Sequence, residues 1–190
     1  MKYACSALPE GYREIFRVDL QQNRRQNVIV SVWSVALLLL ALIPIWLARP
    51  QAVTFGDSFG LPQAVTMLVG MIVYVLLHEA VHGVLFWWMS RQRPSFGLTL
   101  QYAYAGSDAY YRRGPYLVIA LAPVVLWGAV LAILSAVVPP AWYWTVQIIQ
   151  LINISGAAGD LYVTWKFSRM PADLLVQDAG IRMVAYAPAA

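Results

Sequence analysis

Four stretches of the chain are apolar for long enough to cross a bilayer, and the polar residues fall largely between them. They run over about 28–47, 64–89, 116–138 and 142–165. At about 1.5 Å per residue each covers a hydrocarbon core of roughly 30 Å, the longer ones with some tilt. Each is expected to be helical, because lipid offers no partner to backbone N–H and C=O groups. The connecting segments follow another period. Phe96, Leu98, Leu100, Tyr102 and Tyr104 alternate with smaller or polar residues, a strand pattern ending at the turn-like Gly106-Ser107-Asp108. Residues 174–186 predict two short strands around Asp178-Ala179-Gly180, and residues 13–20 predict another. The expected fold is one membrane domain over 1–190, with an all-α core of four transmembrane helices and a small β layer near 13–20, 96–104 and 174–186.

Composition agrees. Hydrophobic residues make up 61% and charged residues 12%, against roughly 45–50% and about 25% in a soluble domain. Disordered, collagen-like and coiled-coil chains are excluded. The net charge of +4 does not point to nucleic acid, since the basic residues sit in the gaps between apolar runs. The single Cys5 excludes a disulfide within the chain and any CxxC pair. The first apolar run does not read as a cleavable signal peptide, because several charges precede it and no small-residue cleavage site follows.

Lysine and arginine set the expected orientation. Residues 1–27, 90–115 and 166 onward carry twelve of the thirteen basic residues, and only Arg49 lies in the loop between the first two runs. The positive-inside rule then places both termini and the β layer in the cytoplasm of a multi-pass plasma-membrane protein. Trp142, Tyr143 and Trp144 would sit at the outer interface, where amphipathic rings are favoured.

The second run contains His78-Glu79-Ala80-Val81-His82, an HExxH. On a helix, residues four apart share a face, so both imidazoles can address one metal ion while Glu79 reaches a water beside it. These are the only two histidines, and Glu79 is one of only three glutamates. An ionisable group at mid-membrane costs about 2.5–3.5 kcal/mol on insertion scales, so such a cluster needs a compensating partner. Interhelical hydrogen-bonded glue is the bland reading.

Zinc bound by two histidines needs a further protein ligand. No third histidine exists, and Glu10 and Glu14 both precede the motif. Of the six aspartates, only Asp160 lies in an apolar run, at an expected depth within roughly one helical turn of that of His82. A snorkelling acid or an arginine partner would be the alternative reading of Asp160. Gln150, Asn153, Ala157, Asp160 and Thr164 form a stripe at helical spacing. Asn153 is a candidate for the oxyanion, the substrate or Glu79, and equally for interhelical packing. Gly156 and Gly159 flank the stripe and suit close helix approach.

Five segments carry a resemblance: LPEGY (8–12), HEAVHG (78–83), FGLTLQYAYA (96–105), RRGPYLVIALAP (112–123) and NISGAAGD (153–160). Together they resemble the putative zincin peptidase family of small bacterial membrane proteins, itself similar to site-2 protease-type intramembrane metalloproteases. The resemblance implies His78, His82 and Asp160 as zinc ligands and Glu79 as catalytic base. Site-2 proteases carry the third ligand in a leucine-aspartate-glycine motif, and Gly159-Asp160-Leu161 stands there instead.

The expected function is a zinc-dependent intramembrane endopeptidase acting on membrane proteins or peptides, with Zn2+ as cofactor and the lipid bilayer as its setting. The rival is a non-enzymatic metal-binding membrane protein, such as a sensor, a carrier or an inactive protease relative. Glu79 favours hydrolysis, since a pure binding site needs no carboxylate beside its ligand pair. The alternating 96–104 segment is expected to offer an edge to an extended substrate, or else to cover the helix bundle.

Overall fold

The structure is a computed structural model and describes residues 3–50, 53, 54, 56, 60–99 and 102–189. In chain order it contains β1 (Ala4–Cys5), β2 (Tyr12–Asp19), α1 (Arg24–Leu47), α2 (Leu61–Ser90), β3 (Ser95–Leu98) and β4 (Ala103–Arg112). There follow α3 (Arg113–Val137), a 3-10 turn at Pro140–Trp142, α4 (Tyr143–Gly156), α5 (Ala158–Phe167), β5 (Leu175–Asp178) and β6 (Arg182–Pro188).

The helices α1, α2 and α3 are long and apolar enough to cross a membrane. Large apolar side chains stand exposed along each of them, among them Val32, Leu39 and Ile43 on α1, Leu68, Ile72 and Leu76 on α2, and Val125 and Ile133 on α3. In water such surface is unfavourable by about 25 cal/mol per Å². Hydrocarbon removes that penalty, which is why the outward faces need no polar residues.

The fourth run departs from the expectation of a single helix over 142–165. It forms two helices, and Ala157 between them has φ −75° and ψ 10°. At about 1.5 Å per residue, α4 is about 21 Å long and α5 about 15 Å, so neither alone covers a core of roughly 30 Å. Gly156 ends α4, and glycine is about 1 kcal/mol poorer than alanine as a helix former.

The strands form one antiparallel sheet in the order β1-β4-β5-β6-β2, with β3 pairing β4. The expected strands at 13–20 and 174–186 are present as β2, β5 and β6. The turn at Asp178-Ala179-Gly180 is also present. Gly180 has φ +87°, and its N–H donates to Oδ1 of Asp178 at 2.7 Å, so a side chain helps to close the hairpin.

The 96–104 segment is not one strand. It is split between β3 and β4, and Thr99 N–H donates to the Tyr102 carbonyl at 2.7 Å. Leu100 and Gln101 lie outside the described residues. Gly106-Ser107-Asp108 is not a turn but continues β4, which runs on to Arg112 with a register shift between Ser107 and Tyr110. Gly106 is needed there for close approach, because a Cβ would meet the Ala179 backbone at 2.8 Å.

The chain divides into two compact units. One comprises the described residues of Met1–Val30, Glu79–Pro123 and Gly159–Ala190, and the other Ser31–His78 and Val124–Ala158. The first contains the sheet, and its fully buried side chains include Phe86, Tyr111, Tyr116, Ile119 and Phe167. Rings pair within it, Phe86 with Tyr111 at 5.2 Å and Tyr116 with Phe167 at 5.6 Å. In the second unit Val53, Tyr143 and Trp144 form a buried cluster with Ile45 packed against it. The Tyr143 hydroxyl donates to the Ile45 carbonyl at 2.9 Å, and Gln147 donates to Ser135 Oγ at 2.8 Å.

Candidate metal centre

Along α2, Tyr74, His78, His82 and Phe86 recur every fourth residue and all four are buried. The intervening Val75, Leu76 and Leu77 are exposed. Four-residue spacing on a helix makes one stripe, so both histidines of this apolar helix are turned inward.

One ligand atom each from His78, His82 and Asp160 lies within 4.8 Å of the others. Nε2 of His82 is 3.6 Å from Oδ1 of Asp160. Two atoms each about 2.0–2.1 Å from one zinc ion at a tetrahedral angle stand about 3.4 Å apart. Two imidazoles and a carboxylate are also an ordinary zinc donor set that leaves a fourth position for water or substrate. Residues and spacing therefore fit the metal.

The second ring nitrogens strengthen the fit. Nδ1 of His82 lies 3.1 Å from the Ile119 carbonyl oxygen. A carbonyl only accepts, so Nδ1 of His82 carries a proton and Nε2 keeps its lone pair in the neutral ring. Nδ1 of His78 lies 2.9 Å from the Tyr74 hydroxyl, which is 3.0 Å from Oδ1 of Asn153. Nδ2 of Asn153 donates to the Val124 carbonyl at 3.2 Å.

That last bond fixes the amide. With Nδ2 on a carbonyl, Oδ1 must face Tyr74, and the single hydroxyl proton goes to Oδ1. The hydroxyl oxygen then accepts from Nδ1–H of His78. Both histidines so have Nδ1 held by a partner, the outer-shell arrangement usual for metal-binding histidines.

Asp160 sits in the first turn of α5. The helix break before it sets a carboxylate beside freshly exposed backbone N–H groups, where the helix dipole favours negative charge. Glu79 is half-buried, and its Oε2 accepts the backbone N–H of Ala105 on β4 at 2.7 Å.

Asn153 is fully buried, and its amide is engaged with Tyr74 and Val124 as described. Gly128 makes room for it, since a Cβ there would come 3.4 Å from Nδ2 of Asn153. Four groups around the histidines and Glu79 escaped the sequence reading: the Tyr74 hydroxyl, the Ile119 carbonyl, the Ala105 N–H and the buried Asp178. Only Tyr74 had a readable signal, its position four residues before His78.

Asp178, unlike the half-buried Glu79 and Asp160, is a buried acid of the first unit. Oδ2 accepts the Tyr116 hydroxyl at 2.7 Å. Burial pushes its carboxyl up to about 7, while the bonds from Tyr116 and Gly180 pull the other way.

A family model described as "Putative zincin peptidase" matches residues 71–175. The matched part holds the HExxH, Asn153 and Asp160. The chain is 28% identical over 122 residues to the "Uncharacterized 24.7 kDa protein in gap 5'region" of Pyrococcus woesei, covering 62% of this chain and 53% of that protein. It thus spans about half the length of that curated relative. No solved structure matches the chain.

Proposed function

Since the chain belongs to the putative zincin peptidase family, we propose that it is a zinc-dependent endopeptidase that cleaves membrane-associated polypeptides within the bilayer. One observation carries the reading: His78, His82 and Asp160 converge on an apolar helix otherwise made for lipid, with Glu79 beside them. Charged groups there are costly unless they serve a site.

His78, His82 and Asp160 would hold the ion through Nε2, Nε2 and a carboxylate oxygen. When bound, zinc polarises a scissile carbonyl and lowers the pKa of water toward about 7. Glu79 takes the proton of the attacking water and hands it to the leaving amide nitrogen. Its second oxygen stays on the Ala105 N–H, which keeps the carboxylate aimed. Water then adds across the peptide bond, giving a carboxylate and an amine.

A helix hides its carbonyls in backbone hydrogen bonds, so the substrate must be extended where it is cut. Strand β3 is the natural acceptor of such a segment. Among the described residues it pairs only with β4, and its Phe96 and Leu98 are exposed. The sheet and both termini face the cytoplasm on the positive-inside argument. Asp108 is exposed on β4, so a cysteine placed there is the probe of that side. It should resist membrane-impermeant thiol reagents in intact cells and react after lysis.

The test of function compares the proteomes of membranes carrying the wild type and Glu79→Gln. Uncleaved precursors accumulating only in the variant would establish the activity and name the substrate. A zinc-loaded protein with identical membranes in both strains would leave the non-enzymatic metal-binding role instead.

A further inference from the structure

The helix α3 supplies no metal-ligand side chain, yet its backbone meets His82. In an unbroken α-helix the N–H of residue 123 donates to the carbonyl of residue 119. Residue 123 is a proline inside α3, fully buried. Proline has no N–H, and its ring pushes against the carbonyl four residues earlier. The carbonyl of Ile119 therefore lacks its helical donor, and it belongs to a residue only 1% exposed. A buried carbonyl left so is costly. Nδ1–H of His82 supplies the donor at 3.1 Å.

We propose that Pro123 is a positioning residue for the metal centre: by withholding one backbone N–H it reserves the Ile119 carbonyl for His82. The inference rests on the metal reading above. The chain of cause is short. No N–H at 123 leaves the 119 carbonyl open. That carbonyl takes the Nδ1 proton of His82, and the Nε2 lone pair is thereby directed to the side of Asp160, whose Oδ1 is 3.6 Å away. Outer-shell partners of this kind are worth about 10–100-fold in metal affinity.

Proline in a helix interior is also the least favourable residue for helix formation. Pro123→Ala should therefore move two quantities in opposite directions. Restoring the N–H re-forms the 123-to-119 helical bond and takes the carbonyl from His82. The metal-free variant should unfold at the same temperature as the wild type or higher. Its zinc affinity should fall about 10–100-fold.

The decisive comparison sets Pro123→Ala against the same position filled by the α-hydroxy acid with alanine's side chain. That replacement turns the amide into an ester, so it lacks the N–H as proline does while packing as alanine does. Zinc affinity of the full-length protein in detergent is measured by chelator competition, and ligand geometry by the visible spectrum of the cobalt-substituted form. The ester variant is expected to keep wild-type affinity and spectrum, and the alanine variant to lose both. Pro123→Gly, which also restores the N–H, should follow alanine and stands in for it if the alanine protein fails to insert. Equal zinc affinity in the ester variant and in the variants that regain the N–H would overturn the proposal and leave Pro123 as a packing residue. A wild-type protein that fails to bind zinc would overturn the metal reading, and this inference with it.

Discussion

The backbone N–H of Ala105, on β4, donates to Oε2 of Glu79, in the middle of α2, at 2.7 Å. The bond links the Glu79 carboxylate to the sheet, and it does not need the negative charge. Glutamine offers the same acceptor through its amide oxygen. Glu79→Gln should keep the fold and the zinc content and lower peptide cleavage by about 10²–10⁴-fold, the usual worth of a general base. Glu79→Ala should in addition cost about 1–3 kcal/mol of stability, because a buried N–H is left without its acceptor. Zinc analysis, a cleavage assay and thermal unfolding of the two variants separate these effects. Full activity in Glu79→Gln would remove Glu79 from the mechanism.

The ligand assignment predicts about one zinc per chain from the one set of three donors among the described residues. Asp160→Ala and His82→Ala should each lower occupancy sharply after dialysis against a weak chelator. Metal analysis of the purified variants checks this. Undiminished zinc in Asp160→Ala would mean that another group completes the site.

The Tyr74–Asn153 chain predicts an effect at a distance from the ligand it serves. Tyr74→Phe removes the acceptor of His78 Nδ1–H and leaves the Asn153 amide oxygen without its hydroxyl donor. Zinc affinity should drop about 10-fold or more, with the cobalt spectrum altered. Asn153→Ala should show the same direction with a smaller loss, because the hydroxyl stays and can still accept from His78. Calorimetric or competition binding measures both. Unchanged affinity in Tyr74→Phe would reduce the chain to structural packing.

Asp178 gives a pH dependence with a definite sign. Its carboxyl is pushed up to about 7 by burial, whereas an unfolded aspartate titrates near about 3.9. Between those two values the folded state holds a proton that the unfolded state has released. Stability from this group is thus complete below about pH 4, is lost as pH rises to about 7, and is level above it. Asp178→Asn should flatten that slope. Chemical unfolding of wild type and variant at pH 5 and 8 reads the difference, and equal slopes would place the carboxyl elsewhere on the pH scale.

Much of the site was legible because helical spacing is written directly in the chain. His78, Glu79 and His82 lie within five residues, so no tertiary knowledge was needed to see two imidazoles on one face. Asp160 was reached because a chain with few acids leaves few choices. The outer groups were hidden for a physical reason. The Ile119 carbonyl and the Ala105 N–H are backbone atoms, and every residue has them, so only packing decides which become partners. Asn153 was visible as a polar residue on an inward stripe, but its partners Tyr74 and Val124 lie on other helices. The β layer was read in part. Period-2 alternation located β2, β5 and β6, whereas Gly106-Ser107-Asp108 carried turn chemistry inside a strand because Gly106 answers to the nearby Ala179 backbone. The break before Asp160 was concealed among small residues that serve helix packing equally well.

The pairing of β2 with β6 joins a strand at Tyr12–Asp19 to one at Arg182–Pro188. During synthesis, ribosomes release the HExxH helix well before the residues that complete the arrangement. Until α5 emerges the nascent chain holds two imidazoles and no Asp160, and until β6 emerges β2 lacks the strand it pairs with among the described residues. A half-made copy therefore holds the histidine pair without the carboxylate that lies beside His82 in the folded chain. On the zinc reading proposed above, cleavage would have to wait for α5, so a chain stopped before Ala158 would be inert.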